Sequence, residues 1–169
     1  MTAENLADPA RSGAGAEPGS RVDVSSAAGV PVGERPGRDL FVYGTLMFGD
    51  IVEALLYRRP VLAPAAVAGW RVARLPGRVY PGLVPAAGRQ AEGLLLPGLS
   101  AAEWAMLDDF EGDEYVVRPV QAELRAATGA DQAPPVAALT YAWRAVDSVD
   151  ERDWDRNWFA THWLSRYAP

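Results

Sequence analysis

Apolar residues fall in short blocks along most of the chain, and the spacing within each block predicts its conformation. Leu40-Phe41-Val42-Tyr43 is a continuous apolar run that stops at Gly44, the pattern of a buried strand entering a turn. Asp50 to Tyr57 reads as a helix, with Asp50 as the cap and Glu53 three residues on completing a capping box. Val61 to Leu75 alternates imperfectly and reads as a strand. Val79 to Val84, interrupted by Pro81-Gly82, and Ala91 to Leu96 read as two further strands. Ser100 to Glu111 has helical spacing, and Ser100 with Glu103 forms a second capping box. Tyr115 to Leu124 and Val136 to Val146 are rich in strand-forming residues. Asp153 to Tyr167 reads as one aromatic amphipathic helix carrying Trp154, Trp158, Phe159 and Trp163.

Strands and helices do not alternate regularly in this order. That excludes a doubly wound parallel sheet and predicts an α+β fold, a small mixed sheet or barrel with helices around it. The 169 residues make one domain of ordinary size. Residues 1–38 stand apart: they hold six Gly, four Pro and no aromatic residue. Such a segment buries too little surface to offset its ordering entropy, so the expectation is a flexible tail at 1–38 and a folded domain at 39–169.

Composition then removes whole classes of chemistry. The chain has no Cys and one His, His162, which excludes disulfides, thiol catalysis and Cys- or His-based zinc sites. Net charge is −6, and the sixteen basic residues are all Arg and scattered, so no nucleic-acid partner is expected. No apolar run approaches the ~20 residues that span a bilayer, and no secretory signal is visible, so no membrane partner and a cytoplasmic location are expected. The pattern carries no signal for oligomeric state.

Two segments carry candidate chemistry. Tyr43-Gly44-Thr45-Leu46 places successive backbone N–H groups in a turn after a buried strand, where they can hold a carboxylate or an oxyanion. Gly44 and Gly49 have the spacing of a phosphate loop, but Asp50 stands where its Lys belongs, which excludes a nucleoside triphosphate. A plain strand-to-helix turn is the competing reading. The second segment ends at Glu111, which shares the apolar stripe of its helix with Trp104 and Leu107 and precedes the helix terminator Gly112. The negative helix end, the nearby acids Asp108, Asp109, Asp113 and Glu114, and partial burial should all raise its pKa, as general acid–base work near neutral pH requires. A frayed helix end with five solvated acids is the competing reading. Neither a Ser-His-Asp triad around His162 nor a calcium loop fits the surrounding residues.

With those residues in place, the chain from about 39 to 167 resembles the gamma-glutamylcyclotransferase-like family. Four pieces carry the resemblance in order: Phe41-Val42-Tyr43-Gly44-Thr45-Leu46, then Tyr80-Pro81-Gly82-Leu83-Val84-Pro85, then Leu107-Asp108-Asp109-Phe110-Glu111-Gly112 with Glu114-Tyr115, then Ala138-Leu139-Thr140-Tyr141-Ala142-Trp143. The resemblance implies a small β-barrel with flanking helices. It implies an enzyme that turns a small γ-glutamyl amide into 5-oxoproline and a free amine, without metal or cofactor. It assigns Glu111 as the acid/base residue and Tyr43, Gly44, Thr45 and Leu46 as the loop around the glutamyl group, with Tyr115 and Tyr43 orienting the substrate or Glu111. A non-catalytic small-molecule binding or regulatory module of the same fold is the alternative. The sequence departs from the family pattern at Val117, where many relatives carry Arg; here Arg118 follows instead.

Overall fold

The computed structural model describes residues 28–125 and 133–167. Five strands, β1 (Asp39–Val42), β2 (Ala63–Arg74), β3 (Pro81–Leu96), β4 (Tyr115–Leu124) and β5 (Val136–Trp143), close into a barrel in the order β1-β3-β2-β4-β5. All neighbours are antiparallel except β1 and β5, which close the barrel in parallel through Asp39 opposite Ala138 and Leu40 opposite Leu139. Among the described residues four helices flank it: α1 (Gly49–Leu56), α2 (Ala101–Glu111), α3 (Arg156–His162) and α4 (Leu164–Tyr167). This is the α+β barrel that the order of elements and the resemblance predicted.

The pleat sorts strand residues into two apolar clusters, because successive side chains point to opposite faces. Leu40, Val42, Leu139 and Tyr141 meet Ile51, Val52, Leu107, Trp104 and Phe159 from the helices. Phe41, Tyr43, Val67, Leu83, Val116 and Ala138 belong to a second cluster made mainly of strand residues. The first cluster fixes the helices on the barrel; the second ties the strands to one another.

Several elements differ from the sequence expectation. β3 is one long strand, not two, and pairs with β2 from Ala63 opposite Leu95 to Arg74 opposite Pro81, across a bulge between Ala68 and Trp70. Its middle residues are mostly exposed, so the hydrophobic alternation vanishes there although the ladder continues. α1 begins earlier than expected and has Phe48 at its N-cap with no side-chain cap. Asp50 therefore lies inside the first turn, and both Asp50 and Glu53 pair with Arg59 at 2.8 Å, so this capping box does not form. The second one does: Ser100 and Glu103 satisfy each other's backbone N–H groups at the start of α2. The expected C-terminal helix is split. Asp153 bridges to Ala73 of β2, Asp155 caps α3, and the chain breaks at Trp163 before α4.

Residues 28–38 lie against the barrel, whereas residues 1–27 fall outside the described residues. Val30 N–H donates to the Val117 carbonyl at 2.9 Å and Gly37 N–H to the Leu99 carbonyl at 2.7 Å. Arg35, only 12% exposed, forks onto Asp108 of α2 at 2.7 and 2.8 Å and lies over the Trp104 ring. Composition gave no hint of this, because one buried Arg anchors an otherwise loop-like segment. Replacing Arg35 with Ala leaves Asp108 half-buried with only the Tyr141 hydroxyl. It should lower the unfolding free energy by about 1–3 kcal/mol, read by chemical denaturation at pH 7.

Candidate active site

A cavity of about 320 Å³ opens beside the end of β1, large enough for a small metabolite. Its lining comes from four separate parts of the chain. The turn after β1 supplies Tyr43, Gly44, Thr45 and Leu46; the start of β3 supplies Pro81, with Tyr80 just before it; the segment from the end of α2 into β4 supplies Phe110, Glu111 and Tyr115; α4 supplies Tyr167. All six residues singled out in the sequence for a site therefore lie on one cavity.

The turn is built for close approach. A Cβ on Gly44 would stand 2.7 Å from Cγ of Pro81, so only Gly lets the turn pack against the Pro81 ring here. A 3-10 turn follows at Thr45–Met47, and the first residues of such a turn have no internal acceptor for their N–H groups. The N–H groups of Gly44, Thr45 and Leu46 donate to no described residue. Thr45 is a buried residue, and its hydroxyl likewise has no partner among the described residues.

Glu111 sits where α2 must stop. Gly112 adopts φ +71°, a conformation that favours Gly, and its N–H closes the last turn on the Asp108 carbonyl at 2.9 Å. The helix end thus aims Glu111 while the chain turns away toward β4. Glu111 is half-buried, and no hydrogen bond or ion pair from a described residue reaches its carboxylate. Desolvation alone pushes its pKa up to about 8. The crowding by neighbouring acids expected from the sequence is not the cause. Asp108 is held by Arg35 and by the Tyr141 hydroxyl at 2.8 Å, and Glu114 by Arg78 at 2.8 Å.

The two tyrosines frame this acid without bonding to it. Tyr43 donates its hydroxyl hydrogen to the Tyr141 carbonyl at 2.6 Å, and Tyr115 donates to the Pro81 carbonyl at 2.6 Å. Burial first, and the charge of Glu111 among the further causes, pushes both phenols far up, so both stay neutral. With their hydrogens committed to the backbone, what they can offer a guest is lone pairs and ring faces. The cavity also contains a second acid, Glu114, and no lining Arg. Glu114 is already paired with Arg78, so a guest ammonium finds its carboxyl partner in Glu111, and any guest carboxylate must rely on the backbone N–H groups. Among the described residues no group of three or more His, Asp or Glu stands close enough to hold a metal ion, and no helix is long and apolar enough to cross a membrane.

The family model for gamma-glutamyl cyclotransferase, AIG2-like, matches residues 40–156. The chain belongs to this family. It is 36% identical over 118 residues to AIG2-like protein C of Arabidopsis thaliana, covering 69% of this chain and 66% of that one. It is 32% identical over 126 residues to protein AIG2 B of the same plant, covering 73% of this chain and 72% of the relative. This chain thus spans about two thirds of the length of such relatives. The fold is similar to two solution structures of Arabidopsis thaliana proteins. One has a TM-score of 0.59 at 30% identity, covering 74% of this chain and 82% of the other. The second has a TM-score of 0.57 at 25% identity, covering 84% and 81%.

Within this member of the gamma-glutamyl cyclotransferase, AIG2-like family, the departures are also placed. Val117 is buried in the core and its carbonyl holds Val30, while Arg118 reaches the Ala28 carbonyl at 3.1 Å; neither lines the cavity. His162 is outside it too, stacked on Trp158 with its Nδ1 2.8 Å from the Trp158 carbonyl oxygen. Tyr80, Pro81 and Phe110 stood in the recognised motifs without a site role. Tyr167 carried no site signal, since it lies beyond the family match; it lines the cavity while packing on Phe159 of α3.

Glu111 couples the site to stability. Its carboxyl ionises near 4.5 when unfolded and near 8 when folded, so the unfolded chain releases its proton first and stability falls as pH rises from 4.5 to 8. Glu111→Gln removes this penalty. The variant should be more stable than the parent by about 2–4 kcal/mol at pH 8, allowing for screening of a half-buried group, with the gap closing toward pH 4.5. Thermal melts of the two proteins across that range check it.

Proposed function

We propose that this protein is a γ-glutamyl cyclotransferase that converts a γ-glutamyl amide into 5-oxoproline and a free amine. The observation that carries the reading is the unpartnered Glu111 carboxylate, with its pKa near 8, on the same cavity as three unspent backbone N–H groups. A carboxylate held at that pKa takes and returns a proton near neutral pH with little driving force against either step.

The substrate brings its own nucleophile. Its α-ammonium sits against Glu111, and the ionised Glu111 removes one proton from it. The freed nitrogen attacks the side-chain carbonyl carbon of the same molecule, forming the C–N bond of a five-membered ring. The carbonyl oxygen becomes an oxyanion. Glu111 returns the proton to the leaving nitrogen, the original amide C–N bond breaks and the oxyanion collapses to the ring carbonyl; the ring nitrogen, left with one hydrogen too many by the attack, gives it up through Glu111 to the departing amine, which leaves as an ammonium. Atoms and protons balance within substrate and Glu111, so the reaction calls for no metal or organic cofactor. The N–H groups of Gly44, Thr45 and Leu46 serve the α-carboxylate or the oxyanion, both of which are anions of the right size for such a turn. Ring closure requires one rotamer of the glutamyl chain, and the aromatic walls Tyr43, Tyr115 and Phe110 supply the confinement that selects it.

The productive complex holds one proton between Glu111 and the α-amine. kcat/KM should therefore rise with pH to a midpoint near 8, as free Glu111 ionises, and fall again where the substrate ammonium ionises. Release of 5-oxoproline from a panel of γ-glutamyl amines, assayed with EDTA present, tests the reading. Glu111→Gln should lower kcat by about a thousandfold while folding normally. Full activity in that variant would remove Glu111 from the chemistry. Binding of 5-oxoproline without turnover of any panel member would instead identify a binding module.

A further inference from the structure

Four tyrosines line the cavity, and three of them have committed hydroxyls. Tyr43 and Tyr115 donate to backbone carbonyls, and Tyr80 donates to Glu114 at 3.3 Å while accepting from Arg78. The hydroxyl of the fourth, Tyr167, makes no hydrogen bond with any described residue. A half-buried phenol without a partner is a donor in reserve, because the surroundings that hide its ring also limit the hydration of its O–H group.

The Tyr167 ring is held by residues that do not themselves line the cavity. It packs on Phe159 with centroids 5.3 Å apart, and Phe159 is fully buried between Phe48 at 5.5 Å and Trp154 at 5.4 Å. Phe48 follows the turn that carries the Gly44, Thr45 and Leu46 N–H groups, so this turn and Tyr167 rest on the same ring. The arm formed by α3 and α4 runs almost wholly beyond the family match, which ends at residue 156. Its Trp158 lines a separate concavity of about 370 Å³ with Arg74, Arg152 and Trp154, and Tyr167 alone of the arm's described residues lines the cavity.

Tyr167 also stands apart from the reacting group. The charge of Glu111 helps to push up the phenols of Tyr43, Tyr115 and Tyr141, whereas Tyr167 is pushed up by burial and then by the Tyr80 phenol. Its neighbour on the cavity wall is therefore Tyr80, on the side where Glu114 is paired with Arg78. The proton transfers require the α-amine and the scissile nitrogen to face Glu111. The part of the substrate left for Tyr167 is the part beyond the scissile nitrogen. We propose that Tyr167 is a specificity-determining residue whose hydroxyl donates to an oxygen acceptor on the leaving group. No charge is asked of that acceptor, because the phenol itself stays neutral. The inference rests on the cyclotransferase reading of the cavity.

The test isolates the hydroxyl from any charge. Release of 5-oxoproline is compared between the γ-glutamyl amides of 2-methoxyethylamine and n-butylamine, and between those of 3-methoxypropylamine and n-pentylamine. Each pair differs in one ether oxygen. At one spacing or both the parent should prefer the ether by about fivefold in kcat/KM, and Tyr167→Phe, which keeps the ring on Phe159, should abolish the preference. Affinity for 5-oxoproline, which has no leaving group, should be the same in both proteins. A binding arm repeats the ether and alkyl comparison by calorimetry in Glu111→Gln, with and without Tyr167→Phe, where no turnover intervenes. Release without an ether preference, or with one that survives Tyr167→Phe, overturns the contact and leaves the cyclotransferase intact. A matching fall in 5-oxoproline affinity does the same, by placing the hydroxyl on the glutamyl part. An ether preference in binding that depends on Tyr167, with no release from any amide by the parent, supports the contact and removes the activity. No release and no such preference overturns both.

Discussion

An ionisable carboxyl kept from water without a partner is the constraint around which this molecule is arranged. A half-buried acid with no cation and no donor disfavours its own charge. The charged and phenolic neighbours of Glu111 are each paired with something else. Asp108 is neutralised by Arg35, Glu114 by Arg78, and both tyrosine hydroxyls donate to backbone carbonyls. No donor or cation among the described residues reaches Glu111, so nothing there stabilises its anion. The acid is poised by exclusion, not by a dedicated partner.

The same constraint explains the helix that carries it. α2 is short, yet it is capped reciprocally at Ser100 and Glu103, terminated sharply at Gly112, and gripped on its outer face by Arg35. Each device fixes the axial position and rotation of the helix, and with them the place of its last side chain. Tyr141 extends the clamp across the barrel: its hydroxyl bonds Asp108 on α2 while its carbonyl receives the Tyr43 hydroxyl beside the turn. The acid and the N–H donors are thereby referred to one strand, β5, although they lie far apart in the chain. Preorganisation of this kind lets a site act without moving much on binding.

Charge is partitioned on a larger scale as well. An acidic cavity and an arginine-containing groove stand side by side, divided by the cluster of Arg78, Tyr80 and Glu114. Net charge, which averages over the whole surface, carries no information about such an arrangement.

Much of the fold and site was legible in the sequence, for local reasons. Hydrophobic period identified the strands and α2, the Ser100–Glu103 box marked a true helix start, and Gly44 and Gly112 stand where the chain needs what only Gly allows. Glu111 was conspicuous because it broke an apolar stripe at a helix end. What the sequence could not decide was pairing at a distance. The continuous β3 ladder, the failed box at Asp50, the seating of residues 28–38 by Arg35 and the entry of Tyr167 into the cavity all depend on partners tens of residues away. The cause of the raised Glu111 pKa belongs with them. Local reading offered a helix dipole and crowded acids, but desolvation prevailed, and desolvation is a property of the assembled surroundings. Sequence determines which groups are present and which local shapes they prefer; only the closed barrel decides which of them water can reach.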